Sequence, residues 1–247
     1  MMTGYLAYLW LETRRQWRDR QALLFRLGLP TAVYLILVAV QDQPGRSSAG
    51  LPWQTGRMVA LAALGAVISG LAAGPSLGEE RGSGWLRQLR TTPLRPSAAV
   101  AAKIAVAMSF ALPAIALVAA AGGLTDHVAL GWSRWIGLVG LMWLATVPIT
   151  ALGALLGLVF AAQAAQGATN LAFLVLWLLG GIFTSPASLP EGLASVARSL
   201  PSYGVVQVGQ SAASGDVVPA SAMAVLAAWT VGVGALAALA WRRVVAR

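Results

Sequence analysis

Long apolar runs joined by short polar segments set the pattern of this chain. Six runs, 23–40, 58–77, 98–121, 135–159, 169–183 and 220–241, are nearly free of charge, and each approximates the ~20 helical residues needed to cross a ~30 Å hydrocarbon core. The pattern predicts an all-α polytopic membrane protein with six transmembrane helices, a single domain over 1–247 without tandem repeats. The fourth run is long and the fifth short, which leaves their shared boundary soft. Ala66, Gly70, Gly74 and Gly78 recur every four residues along the second run, and Gly153 and Gly157 do so in the fourth. Stripes of small residues let neighbouring helices approach closely.

Three segments between these runs carry patterns of their own. In the N-terminal arm, 1–21, the residues Leu6, Leu9, Trp10, Thr13 and Trp17 fall on one side of a helix while Arg14, Arg15, Arg18 and Asp19 lie elsewhere. This predicts an interfacial helix with Trp10 and Trp17 as anchors at headgroup depth. The same pattern fits a plain topology anchor or a grip on a partner. The arm does not read as a signal peptide, because its apolar run precedes the charges and no small-residue cleavage pattern follows.

Between the second and third runs, the segment 79–97 places Trp85, Leu86 and Leu89 beside Arg87 and Arg90. The spacing predicts a short basic amphipathic helix, too short to span lipid and suited to lie at a surface. In the segment 184–219, Pro186 and Pro190 interrupt the apolar pattern. Leu193, Val196, Ala197 and Leu200 then follow helical spacing until Pro201, and a second short run covers 203–211. Two helices too short to cross suggest a re-entrant hairpin, allowed where protein or water satisfies the broken backbone. An outer loop with one surface helix is the alternative.

Composition agrees with the membrane reading: 58% of residues are hydrophobic, 10% are charged, and mean hydropathy is +0.73. The chain has no cysteine, which excludes disulfides, thiol nucleophiles and cysteine metal sites. Of its lysines and arginines, thirteen lie in the arm through Arg26, the second loop through Lys103 and the C-terminal tail, against four at Arg46, Arg57, Arg134 and Arg198. The positive-inside rule then puts both termini in the cytoplasm and explains the net charge of +9 without nucleic acid. Lys103 and Arg26 sit close to cytoplasmic ends, where long side chains snorkel, and Lys103 is expected to act as an interfacial orientation anchor.

All eight acidic residues, Glu12, Asp19, Asp42, Glu79, Glu80, Asp126, Glu191 and Asp216, fall outside the six runs. An ion-coupled transporter needs an ionisable group near the midplane, and none is expected here. Catalytic and metal sites are not expected either. Glu79-Glu80 lacks the arginine of intramembrane prenyl-protein proteases, since Gly84 stands four positions on, and the single histidine, His127, lies in an outer turn without further ligands. No phosphate-binding loop is present, so the chain is not expected to bind ATP or another cofactor.

The order of these elements resembles the permease subunits of ABC type-2 exporters. The succession Glu80-Arg81-Gly82, then Leu86-Arg87-Gln88-Leu89-Arg90-Thr91-Thr92-Pro93-Leu94, then Lys103, carries the resemblance, with Ala161 to Gln166 through Asn170 and with Leu200-Pro201-Ser202-Tyr203. Gly84-Trp85 departs from the plainer leucine or glutamate of many members.

The resemblance implies a permease energised by a separate ABC ATPase subunit, which would hold the ATP and Mg. The 79–97 segment would be a coupling helix. In it Trp85, Leu86 and Leu89 would be knobs in a cleft of the ATPase, Arg87 and Arg90 would set orientation, Pro93 would belong to the same motif, and Glu80-Arg81-Gly82 would be a hinge. Two permease copies, identical or related, would form the pore in the bilayer. The carboxylate-free spans suit a drug, a lipid or a lipid-linked glycan. Sixteen arginines to one lysine hint at a GC-rich bacterium and its plasma membrane. A non-transporting scaffold or sensor partner whose basic loop docks a signalling protein is the alternative, and a neighbouring gene for a phosphate-loop ATPase would separate the two.

Overall fold

The computed structural model describes residues 2–40, 51–83, 96–125, 128, 130–160 and 162–246. Every element among them is a helix: α1 (Met2–Trp17), α2 (Arg20–Val40), α3 (Trp53–Gly82), α4 (Pro96–Thr125), α5 (Trp132–Val159), α6 (Ala162–Leu179), α7 (Glu191–Arg198), α8 (Pro201–Ser214) and α9 (Ala220–Ala246). The helices α2 to α6 and α9 are long and apolar enough to cross a membrane, and they coincide with the six apolar runs.

Prolines mark where these long helices break. Proline offers no N–H and its ring clashes with the carbonyl four residues back. Pro30 follows a π-helical turn at Leu24–Gly28 in α2. Pro75 follows the break at Ala72 in α3, and Pro148 the break at Thr146 in α5. The carbonyls that would clash belong to Arg26, Leu71 and Leu144, each at or just before its break.

The helix α3 runs through the centre of the bundle and is buried along most of its length, whereas α2, α6 and α9 leave much of their apolar surface uncovered. The glycine stripes of α3 and α5 face one another. A Cβ on Gly153 would come within 2.9 Å of the Gly70 carbonyl oxygen, and one on Gly157 would collide with the Gly74 carbonyl. Farther along the same stripe, a Cβ on Gly78 would lie 2.6 Å from the Ala165 Cβ of α6. The three helices therefore touch backbone to backbone, as small residues permit.

Two boundaries differ from the sequence pattern. The fifth span begins at Ala162, seven positions before the predicted start at 169, and ends at Leu179 instead of 183. Its first turns carry Gln163 and Gln166, so hydropathy assigns them to a loop, yet they are helical and Gln166 donates to Asn170 at 2.9 Å. The second limb of the outer segment is the longer helix α8, starting at Pro201, the residue that also ends the limb before it. Pro201 fits there because the first helical position has no intrahelical use for an N–H.

The helix α8 is packed among α3, α5 and α9, with Val205, Val206 and Val208 buried. Its Ser202 hydroxyl donates to the Leu176 carbonyl at 2.9 Å, and Trp229 of α9 donates to the Ser199 carbonyl at 2.7 Å. Side chains of neighbouring elements thus reach carbonyls at the helix ends, that of Leu176 beside the Gly180 N–H it already accepts at 3.1 Å.

Two glycines of α5 separate close packing from helix propensity. Gly153 has no room for a methyl, whereas a Cβ on Gly140 would meet nothing within 4 Å. Gly153→Ala should lower stability by about 1–3 kcal/mol through overpacking, while Gly140→Ala should be neutral or stabilising by about 0.5–1 kcal/mol. Thermal melting of the two purified variants beside wild type reads the difference; equal melting temperatures would show that the stripes do not set the packing.

Candidate functional site

A lysine in the first turns of an apolar span is costly unless its charge is met, and Lys103 on α4 is 1% exposed. Its ammonium has three hydrogens to give. They go to the Glu12 carboxylate of α1, to Glu80 Oε1 of α3 at 2.7 Å and to the Ser76 hydroxyl of α3 at 2.8 Å. Both carboxylates are buried. Glu80 Oε2 has no hydrogen-bond partner among the described residues.

Lys103 is therefore not the snorkelling surface anchor expected from sequence. It is the centre of an ion triplet joining three helices. The triplet also revises the acidic inventory, because Glu79 and Glu80 lie on the last turns of the helix that forms the second span. Gly82 is helical as well and has no positive φ, so the Glu80-Arg81-Gly82 stretch continues α3 without the expected bend.

Arg81 makes a second link. Its Nη1 donates to the carbonyls of Leu158 and Val159 at 2.6 Å each, at the C-terminus of α5. The last carbonyls of a helix lack intrahelical partners and form the negative end of its dipole, so a guanidinium there satisfies both. Adjacent residues of one motif thus point to different neighbours: Glu80 to α4 and α1, Arg81 to α5.

The arm α1 docks along α4 through a face centred on Glu12. Glu12 is buried and Leu9, Thr13 and Gln16 are half-buried, whereas Trp10 is 59% exposed and Trp17 42%. The buried positions keep helical spacing but centre on an acid, which an apolar-face reading passes over. Trp17 stacks on Phe110 of α4 with centroids 4.9 Å apart, and the Arg26 guanidinium lies 5.1 Å from the same ring. Arg26 also donates to Gln16 at 2.8 Å, and Gln16 in turn donates to Glu12 at 3.1 Å. Trp10 has the Arg14 guanidinium 5.1 Å from its ring.

Burial pushes the Glu12 carboxyl up, but the Lys103 ammonium, the Gln16 amide and Arg15 outweigh it and hold the group below its ordinary 4.5. A carboxyl lowered by folding contributes stability at pH values above its unfolded value, and loses it as pH falls through the folded value. Docking of α1 should therefore be intact at neutral pH and weaken only in acid below 4.5.

Beside the triplet, a cavity of about 790 Å³ opens between α1, α2, α3 and α6. Its wall mixes Arg15, Asp19 and Asn170 with Phe25 and Phe173. The Thr169 hydroxyl of the same wall is buried without a hydrogen-bond partner among the described residues. No group of three or more histidine, cysteine, aspartate or glutamate side chains suited to a metal ion occurs among the described residues.

Of the residues singled out from sequence, Glu80, Arg81, Gly82 and Lys103 meet at one end of the bundle. The remaining coupling candidates, Trp85, Leu86, Arg87, Leu89, Arg90 and Pro93, lie outside the described residues. The segment 84–95 that holds them is rooted in α3 on one side and α4 on the other, the two helices that Lys103 joins to Glu80. Sequence reasoning missed Glu12 and Ser76. The available signal was Lys103 itself, since a cation set into an apolar run requires anionic partners.

Residues 3–211 match the family described as ABC-2 type transporter. The chain is also 24% identical over 197 residues to the Bacillus subtilis (strain 168) protein named "Putative transport permease YvfS", covering 78% of each.

Removing Lys103 alone leaves two carboxylates buried together. Lys103→Met should cost about 3–5 kcal/mol, more than Glu12→Gln, and the combined variant Glu12→Gln, Glu80→Gln, Lys103→Met should regain much of the loss. Thermal melting of the purified variants checks the order. A combined variant no more stable than Lys103→Met would show that the charges are not what the triplet balances.

Proposed function

The chain belongs to the ABC-2 type transporter family, and on that premise we propose that it is the membrane permease subunit of an ATP-driven exporter. A membrane transport permease without catalytic ATPase chemistry follows from the family. The finer reading is that a separate ABC ATPase subunit holds ATP and Mg, and that this chain moves an amphipathic or hydrophobic molecule, a drug, a lipid or a lipid-linked glycan, out of the cytoplasm or inner leaflet. Two permease copies form the pore in a bacterial plasma membrane, with both termini cytoplasmic.

The observation that carries this reading is the ion triplet at the root of the 84–95 segment. The ATPase receives that segment through Trp85, Leu86 and Leu89, with Arg87 and Arg90 setting orientation. Closure of two ATPase subunits on ATP shifts the segment, and a shift can bias the spans only if its roots are tied to them. Glu80–Lys103 ties α3 to α4, Glu12 adds α1, and Arg81 adds α5. The cavity beside the triplet, with its charged and aromatic walls, suits an amphiphile entering from that end. The helix α8 is the re-entrant limb, its backbone sheltered by protein as a membrane requires.

Coexpression with an ABC ATPase should yield a complex in which Trp85→Ala lowers partner affinity and coupled ATPase activity together. An interface tryptophan typically contributes about 2 kcal/mol or more, roughly thirtyfold in affinity. Unchanged copurification and export, with less protein in the membrane, would make Trp85 a lipid anchor instead.

The cysteine-free background gives the orientation. A cysteine at Ser214 should react with an impermeant thiol reagent in intact cells and one at Ser83 should not. Labelling at Ser83 would reverse the topology.

A further inference from the structure

At the opposite end of α3 from the triplet, a second cavity has a one-sided lining. Arg57 and Glu80 are 23 positions apart on this helix, roughly 35 Å at 1.5 Å per residue. The cavity, about 530 Å³, lies between the first turns of α3, the segment 181–187, and α7 with α8. Arg57 and Arg198 both line it, and no aspartate or glutamate does so among the described residues. Neither arginine makes an ion pair among the described residues. A guanidinium cannot shed its charge at any physiological pH, so the cavity holds two fixed positive charges.

Other polar groups of the lining can donate as well. Gln207 donates its amide to the Tyr203 hydroxyl at 2.9 Å, which leaves the phenolic hydrogen to give to a further acceptor. Gln210 adds a second amide to the wall. Arg57 is held in place by Trp53, its guanidinium 5.5 Å from the ring centroid, so less ordering is required when it binds. Apolar surface lies next to these donors, with Phe183 in the lining and 58% exposed.

From this lining we infer that the cavity is a binding site for an anionic amphiphile whose phosphate head sits between Arg57 and Arg198 and whose apolar tail follows Phe183. Phosphate fits better than carboxylate because its oxygens point in several directions. The two unesterified oxygens of a phosphodiester diverge from a tetrahedral centre and can each face one guanidinium, with the phenol sharing one of them, whereas a planar carboxylate is matched by a single guanidinium fork. The two sources of this chemistry are a phospholipid with its tail and a free phosphate ion, and the apolar wall selects the first. The site needs no ATP and goes beyond the proposed transport cycle, so its test is independent of that reading.

The test uses the full-length chain in phosphatidylcholine nanodiscs, titrated by calorimetry with short-chain phosphatidylglycerol, short-chain phosphatidylcholine and inorganic phosphate. Phosphatidylglycerol should bind at least tenfold more tightly than either of the others, and less tightly as salt is raised. The variant Arg57→Gln with Arg198→Gln should lose at least tenfold in that affinity at an unchanged melting temperature without lipid. If the double variant folds poorly, Arg198→Gln alone, at an exposed position, should still weaken phosphatidylglycerol severalfold. Equal binding of the two lipids, inorganic phosphate binding as tightly as phosphatidylglycerol, or full binding by the folded variants would overturn the inference.

Discussion

A buried ammonium must place every one of its hydrogens, and the end of this bundle is organised around that requirement at Lys103. Water cannot reach the group, and an unpaired cation there would cost several kcal/mol. Its three acceptors come from two helices, so meeting the charge also fixes where α1, α3 and α4 stand relative to one another. The triplet carries two carboxylates against one ammonium, and Arg15 on α1 lies near enough to help hold Glu12 charged. A cluster of this kind contributes little net stability compared with an apolar core, but it permits few alternative arrangements. It acts as a fixed joint at the place where the segment 84–95 joins the bundle.

Backbone contact carries that joint into the rest of the fold. Because Gly70, Gly74 and Gly78 bring α3 against α5 and α6, a displacement of the α3 terminus cannot be absorbed by side-chain rearrangement between them. Arg81 fastens the same terminus to the end of α5. The proline breaks in α2, α3 and α5 supply the compliant points, where a backbone hydrogen bond is already missing. Rigid contacts at the end that carries the segment 84–95 and breaks farther along the helices are the parts a lever needs.

Much of the fold was legible in hydropathy, and the reasons for the exceptions are physical. The six apolar runs became six long helices because a span needs length and apolarity, both local properties. The glycine stripes were readable for the same reason, since close approach depends on the absence of a side chain. The start of the fifth span was not, because Gln163 and Gln166 make its first turns polar. The burial of Glu12 was not readable from amphipathicity either: its partner lies 91 residues away, and the arm's buried face is chosen by that charge and not by its tryptophans. Arg81 was expected in a hinge and instead reaches backbone carbonyls 77 and 78 residues away, an interaction that leaves no composition signal. The candidate site was thus half visible: Glu80, Arg81 and Lys103 by motif, Glu12 and Ser76 only by structure.

The central claim is that the triplet makes α1 and the roots of the 84–95 segment move as one body. Spin labels at Arg14 on α1 and at Ser83 beside the segment, both exposed, report that geometry directly in the complex with its ATPase. The account predicts a single narrow distance distribution, unchanged between nucleotide-free and ATP-bound states, that broadens in Lys103→Met. A wild-type distance that shifts on ATP binding, or a distribution just as narrow without Lys103, would contradict it.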